Sequence, residues 1–236
     1  MAPLGGGIIK FSPSSLVTYY TCPYKFKLAY IDQVKPLPPA EKLVFGSKVH
    51  EVLAKYYEII PETISTKEIP LFLSQAVKEV GGDFKELEGV LRGFCRFEEK
   101  RLTWNLNPKP VAVEKYFEKG IFCGVIDAIF RRFDGKLVGV DWKSGKVRLD
   151  NVSFIIPGFI YTYIANLDEM IFVPLFSGHE ERLTVKELIQ FKSVITEILN
   201  GIKSEKFEKK ETDDCKRCEY SLACKLEEDG SGVSWH

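Results

Sequence analysis

The spacing of apolar residues changes character several times along the chain. Val44, Phe45, Val49, Val52, Leu53 and Tyr56 recur three and four apart, which predicts a helix with one buried face. The same period resumes near Lys67 to Val80, breaks at Gly81-Gly82, and runs again from Asp83 to about Trp104. Upstream, Ser12-Pro13 and Cys22-Pro23 each put a proline where a helix can begin, so residues 13–31 read as two short helices in tandem. From Val111 the period becomes two. Strands are predicted over Val111 to Glu118, Ile121 to Phe133 and Leu137 to Trp142, joined by turns near Gly120 and at Asp134-Gly135, as an antiparallel meander. Residues 152–167 return to a helical pattern, and Met170 to Phe176 reads as a fully buried strand. Thr184 to Ile202 reads as one amphipathic helix opened by a Thr184/Glu187 capping box. Strand, helix, strand in that order predicts an α/β fold with a βαβ-like close to the sheet.

Composition narrows the picture without changing it. A chain of 236 residues, 45% hydrophobic and 28% charged, can bury one core without covalent staples. Lys+Arg and Asp+Glu balance at 33 each, so there is no global field for a polyanion, and any nucleic-acid contact must come from a local patch. There is no run of eighteen apolar residues, and Met1 to Gly7 is too short and Gly-rich for a leader. A cytoplasmic location without membrane contact is therefore expected, and in that compartment paired cysteines point to metal before disulfide.

Cys215, Cys218 and Cys224 form a C-x-x-C-x-x-x-x-x-C knot, and Cys22 lies almost at the other end of the chain. Together they predict a clasp joining the termini, for which tetrahedral zinc and an iron–sulfur cluster are both open. Cys95 and Cys123 read as small buried hydrophobes. Around the clasp, Lys25, Lys27, Lys216, Arg217 and Lys225 could supply the local positive patch, with Tyr19, Tyr20, Tyr24 and Phe26 available to stack on bases. The plainer alternative is that the aromatics are core and the lysines a solvated face.

Two strands carry the chemistry. Asp141 and Lys143 are two apart and so share a sheet face, opposite Val138, Val140 and Trp142. Asp127 stands alone in Val125-Ile126-Asp127-Ala128-Ile129-Phe130, where a carboxylate is costly unless paired or bound to a cation. Two carboxylates on neighbouring strands are hard ligands suited to Mg²⁺ or Mn²⁺, and Lys143 beside them could orient water or stabilise phosphate charge. An edge salt bridge is the bland reading of the same residues.

Gly46 to His50, Gly124 to Asp127, and Asp141 to Lys143 succeed one another as G-x-x-x-H, G-x-x-D and D-x-K, and this order resembles the RecB-like branch of the PD-(D/E)XK nuclease superfamily. The resemblance implies that His50, Asp127, Asp141 and the Trp142 carbonyl bind the cation and that Lys143 is catalytic. A further family motif, Q-x-x-x-Y, is imperfect: matching its tyrosine to Tyr161 puts Pro157 at the glutamine, and matching it to Tyr163 puts Phe159 there. Tyr161 is taken as the catalytic tyrosine, with Pro157-Gly158 expected to mark a delayed helix start or a kink. The opening Ser12-Pro13-Ser14-Ser15-Leu16 through Cys22-Pro23-Tyr24-Lys25-Phe26, with the later cysteines, resembles members that carry a [4Fe–4S] cluster, above all the CRISPR-associated exonuclease of the fourth Cas type or a viral or plasmid homologue. That resemblance implies a restriction-endonuclease-like core cutting single-stranded DNA ends, in spacer acquisition beside the CRISPR integrase complex. It also implies a division into 41–202 as nuclease core with a helical insertion at 62–105, 12–31 plus 203–226 as the cluster unit, and 227–236 as a loose tail.

Overall fold

The computed structural model describes residues 10–37, 41–144 and 152–228. Most of the expected tail, from residue 229 on, lies outside them. The N-terminal helices are α1 (Pro13–Thr21) and α2 (Pro23–Phe26), continued by a wider turn over Lys27–Ile31. Ser12 caps α1 by accepting from Ser15 N, and Cys22 stands at the junction that starts α2. Next come α3 (Glu41–Ile59), α4 (Ile69–Glu79) and α5 (Phe84–Arg101), the last capped by Asp83 after the Gly81-Gly82 break.

The meander comes next as β1 (Ala112–Lys119), β2 (Phe122–Arg131) and β3 (Leu137–Lys143). Helix α6 (Val152–Ala165) crosses to β4 (Glu169–Pro174), which lies parallel to β3, and β5 (Glu181–Thr184) adds an antiparallel edge. The sheet order is β1-β2-β3-β4-β5. Two expectations are corrected here. The helix α6 starts at Val152 and runs through Pro157, so that proline marks no delayed start. Thr184 to Ile202 is not one helix: Glu181–Thr184 pairs with β4, and the helix breaks at Gln190-Phe191 into α7 (Val185–Ile189) and α8 (Lys192–Lys203). The Thr184/Glu187 box does open α7.

Helices cover both sheet faces. On one, Val52, Tyr56 and Tyr57 of α3 and Leu91, Phe94 and Phe97 of α5 pack on Phe130, Val140 and Trp142. On the other, Leu16 of α1, Ile156 and Ile160 of α6 and Ile198 of α8 pack on Ile129, Met170 and Phe172. Burial of this kind stabilises by about 25 cal/mol per Å² of apolar surface, and it fixes which face each strand presents. A smaller cluster of Tyr24, Leu28, Val34, Tyr220 and Ala223 joins the N-terminal helices to α9 (Ser221–Glu228). Tyr24 N donates to the Glu208 carbonyl and Leu37 N to that of Glu219, so the two chain ends are stitched together by backbone. Among the described residues no helix is long and apolar enough to cross a membrane.

Candidate active site

The site is built on an irregularity in the β1–β2 hairpin. A two-residue turn at Gly120-Ile121, with Gly120 at φ 60°, sets Lys119 opposite Phe122. The pairs Val113↔Ala128 and Lys115↔Ile126 bracket Glu114 and Asp127, which therefore face each other. The inward–outward alternation slips by one residue at this point. Phe117 and Ile126 pack on the α1/α6 side, whereas Val113, Ala128 and Phe130 pack on the α3/α5 side. Glu114 takes φ 43°, a left-handed conformation that costs a residue with a Cβ about 1–2 kcal/mol.

Both carboxylates thereby turn towards α3. His50 Nδ1 lies 3.3 Å from Glu114 Oε1 and 3.4 Å from Asp127 Oδ1, and one ligand atom from each of the three falls within 4.8 Å of the others. Gly46, one turn before His50, faces the end of β3, with room for a Cβ in ordinary contact 3.5 Å from Ser144 Oγ. Gly46, His50, Glu114 and Ser144 line the wall of a cleft of about 1260 Å³ between α3 and β1.

On β3, Asp141 is 3% exposed, and Lys143 Nζ lies 2.6 Å from its Oδ2. The two form a close ion pair, with Asp141 its buried partner. Asp127 is held from behind: its Oδ2 accepts from Trp142 N at 2.7 Å while Oδ1 faces His50. Burial works against a charge on His50, but its bonds to Asp127 and Glu114 prevail and raise its pKa to about 10. Burial pushes Asp141 up to about 6, with Lys143 opposing and Asp127 adding to the rise. Burial also disfavours charge on Lys143, yet Asp141 and Asp127 hold its pKa above the usual lysine value.

Tyr161 lies near enough to this group to feel its charges. Burial and the charges of Asp141, Asp127 and Glu114 keep the Tyr161 hydroxyl firmly protonated. Tyr163 is 43% exposed, packs edge-on to Phe122, and carries Lys119 over its ring. Gly124 explains its own place in the motif, since a Cβ there would come within 3.0 Å of Tyr161 Cε1 and 3.3 Å of Pro13 Cδ.

The predicted residues His50, Asp127, Asp141, Lys143 and Tyr161 thus meet, and Glu114 joins them unpredicted. Its one signal is the hairpin register, which the expected turn near Gly120 did not fix to the residue. A two-residue turn at Gly120-Ile121 fixes the register that puts Glu114 opposite Asp127. Three carboxylates and an imidazole form a hard, anionic donor set that fits Mg²⁺ or Mn²⁺, and the buried Asp141 Oδ2 has Lys143 alone facing it among the described residues.

The four cysteines of the clasp line a second cavity, of about 650 Å³. Cys22, Cys218 and Cys224 pack against the cluster that joins the chain ends, and Cys215 is exposed. Thr212 N points at Cys215 Sγ from 3.3 Å and Tyr220 N at Cys218 Sγ from 3.4 Å. Lys25, Lys209, Lys210, Lys216, Arg217 and Lys225 surround them, against Glu211 and Glu219. The stacking aromatics need correction. Tyr19, Tyr24 and Phe26 are buried, and Tyr20 alone of the four is exposed, with Lys210 over its ring.

The profile of the PD-(D/E)XK nuclease superfamily matches residues 10–225. The chain belongs to that superfamily, and membership implies metal-dependent nuclease activity on nucleic acid. No curated protein matches the sequence. A solved structure described as "Crystal structure of SSO0001" matches at 13% identity and a TM-score of 0.37, covering 77% of this chain and 96% of its own. The assignment rests on the family match.

Proposed function

We propose that this protein is a divalent-metal-dependent deoxyribonuclease of the RecB-like branch, acting as an exonuclease on single-stranded DNA ends. The observation that carries the reading is the convergence of His50, Glu114 and Asp127 within 4.8 Å, beside the Asp141–Lys143 pair. His50, Glu114, Asp127, Asp141 and the Trp142 carbonyl would hold Mg²⁺ or Mn²⁺, whose contribution when bound is to polarise the phosphoryl oxygen and activate water. The chain's own residues do the rest. Asp141 keeps Lys143 charged next to the position where phosphate charge develops. Asp127 is fixed in orientation by the Trp142 amide, and Tyr161 keeps its proton and can donate to a phosphate oxygen or a base edge.

Residues 12–31 and 203–226 are proposed to form one unit holding a [4Fe–4S] cluster on Cys22, Cys215, Cys218 and Cys224. Four thiols around one cavity and amides aimed at two of the sulfurs support it. The surrounding lysines give a neutral chain its local basic surface for DNA. Placement in CRISPR spacer processing, with the integrase complex as partner, rests on the cysteine and N-terminal motifs alone. Pro157 at the family's glutamine position favours one second reading, a catalytically weak nucleic-acid-binding subunit.

Labelled single-stranded DNA incubated with Mn²⁺ separates these readings. Cleavage by the wild type, lost in Asp127→Ala and Lys143→Ala, is expected. Binding without cleavage selects the second reading, and equal cleavage by all three proteins overturns the site.

A further inference from the structure

Glu98 and Arg101 of α5 are both fully buried and form a two-pronged ion pair, Nε to Oε1 and Nη2 to Oε2. Neither belongs to the candidate site, and a buried pair of this kind is a poor way to stabilise a fold. Desolvation cancels most of the Coulomb gain, and apolar residues of similar volume often serve as well. What distinguishes this pair is what else it touches.

Tyr56 and Tyr57 of α3 both donate to the Glu98 carboxylate. Arg101 also donates Nη1 to the carbonyl of Asn107 (3.3 Å) and Nη2 to that of Pro108 (2.9 Å), in the segment that leads into β1. Its guanidinium lies 4.3 Å from the ring centroid of Phe130 on β2. Tyr57 in turn stacks on Trp142 of β3, 5.6 Å between centroids at 21°. The pair therefore bonds directly to α3, which carries His50, and to the segment that leads into β1 and Glu114, packs on β2, which carries Asp127, and reaches β3 and Asp141 only through Tyr57. Tyr57 lies two helical turns beyond His50, about 10 Å along the same face of α3.

We propose that Glu98 and Arg101 are positioning residues for the metal site, holding α3 and the segment before β1 at the separation that lets His50 and Glu114 share one ion. The directional bonds suit that task. Apolar packing tolerates a slide of α3 along the sheet, whereas a planar fork fixed to one carboxylate and two carbonyls does not. Glu114 most needs such support, because its left-handed backbone persists only if the surroundings over-determine it. The inference rests on the metal-site reading above.

The test measures Mn²⁺ affinity directly, by calorimetry on the intact protein, together with the melting temperature. Arg101→Lys keeps the charge beside Glu98 but loses the fork to Asn107 and Pro108. Tyr57→Phe removes one hydroxyl and no volume, and decides the matter should Arg101→Lys fail to fold. Ile198→Val, in the core on the opposite sheet face, supplies a control for lost stability. Expected is about a tenfold rise in the Mn²⁺ dissociation constant for Arg101→Lys, the scale seen when partners behind metal ligands are removed. Tyr57→Phe should weaken binding in the same direction, and Ile198→Val should leave affinity unchanged. Wild-type affinity in both hub variants, with melting lowered as in the control, would make the pair merely structural and overturn the proposal. A wild type that binds no Mn²⁺ would instead sink the metal-site reading, and this inference with it.

Discussion

Glu114 and Asp127 face each other across β1 and β2 at the point where the two strands change sides, and His50 Nδ1 reaches both, at 3.3 and 3.4 Å. Regular strand geometry and the turning of both carboxylates towards His50 are in conflict at this pair. A regular hairpin would let Glu114 relax to extended backbone, but regular alternation would not put Val113 on the α3/α5 side and Phe117 on the α1/α6 side. The chain instead holds Glu114 at φ 43° and delivers its carboxylate to the cleft.

Glu114→Gly should therefore separate stability from function. Glycine adopts this conformation freely, which removes about 1–2 kcal/mol of strain, against about 0.5–1 kcal/mol for the added freedom of the unfolded chain. Against that gain stands the lost His50–Glu114 pair, so the metal-free variant is expected to melt close to the wild type, while its Mn²⁺ affinity and its nuclease activity fall at least about tenfold. Thermal unfolding in chelator, set beside a cleavage assay, checks both halves. A variant that loses stability and keeps activity contradicts the role given to Glu114.

His50 gives the metal-free protein a defined pH dependence. Its pKa is raised from 6.5 to about 10 in the folded state by Asp127 and Glu114, against the effect of burial. The folded state thus binds this proton more tightly than the unfolded chain. The stability so gained is complete below pH 6.5 and is lost as pH rises through about 10. Melting temperature in chelator should decline across that window in the wild type and much less in His50→Gln. Binding of Mn²⁺ at about pH 8 should also expel close to one proton, which calorimetry in buffers of different ionisation enthalpy will count. Binding with no proton release would mean that the imidazole is neutral before the metal arrives.

Much of this site could be read from the sequence because its signals are local. Asp127 is conspicuous in an apolar strand, Asp141 and Lys143 share a face by parity, and Gly46 and His50 lie one helical turn apart. Glu114 was hidden by its neighbours, since Val113-Glu114-Lys115 and Glu118-Lys119 read as a solvated edge strand. Only the pairing register singles it out. The same limit explains the missed β5, whose four residues show no usable period and are held by pairing with β4. The Glu98–Arg101 hub was invisible for a related reason. Charged residues three apart on a helix normally lie in water, and their burial depends on tyrosines from α3 and carbonyls near β1.

Gly124 and Tyr161 form a steric pair that can be tested from either side. An added methyl on Gly124 would press on Tyr161 Cε1 at 3.0 Å and on Pro13 at 3.3 Å, and α1 and α6 have little room to yield. Gly124→Ala is expected to cost about 1–3 kcal/mol and to shift Tyr161 from the carboxylate group. Tyr161→Phe leaves the packing intact and removes only the hydroxyl. If that hydroxyl acts on substrate, Tyr161→Phe lowers the cleavage rate at unchanged Mn²⁺ affinity and unchanged melting temperature. If Tyr161 is only core, Tyr161→Phe is silent in the cleavage assay and Gly124→Ala loses stability alone.

The cysteine clasp should behave as a local staple. Closing a loop between Cys22 and the C-terminal knot is worth on the order of 5 kcal/mol in the chain-entropy picture. That sum is not all lost with the ligands, because Tyr24, Leu28, Val34, Tyr220 and Ala223 and two backbone bonds already join the ends. Cys22→Ser is therefore expected to leave the sheet and its two helical layers folded while the joined ends loosen first. Two observations check this. The purified wild type should absorb broadly near about 400 nm if iron–sulfur, and stay colourless if zinc, with the band lost in Cys22→Ser. Trypsin should cut Cys22→Ser faster at Lys206, Lys209 and Lys210, which lie between α8 and the knot, than anywhere in the sheet. A variant that keeps wild-type colour, melting temperature and protease resistance would show that Cys22 holds nothing, and that the ends are joined by packing alone.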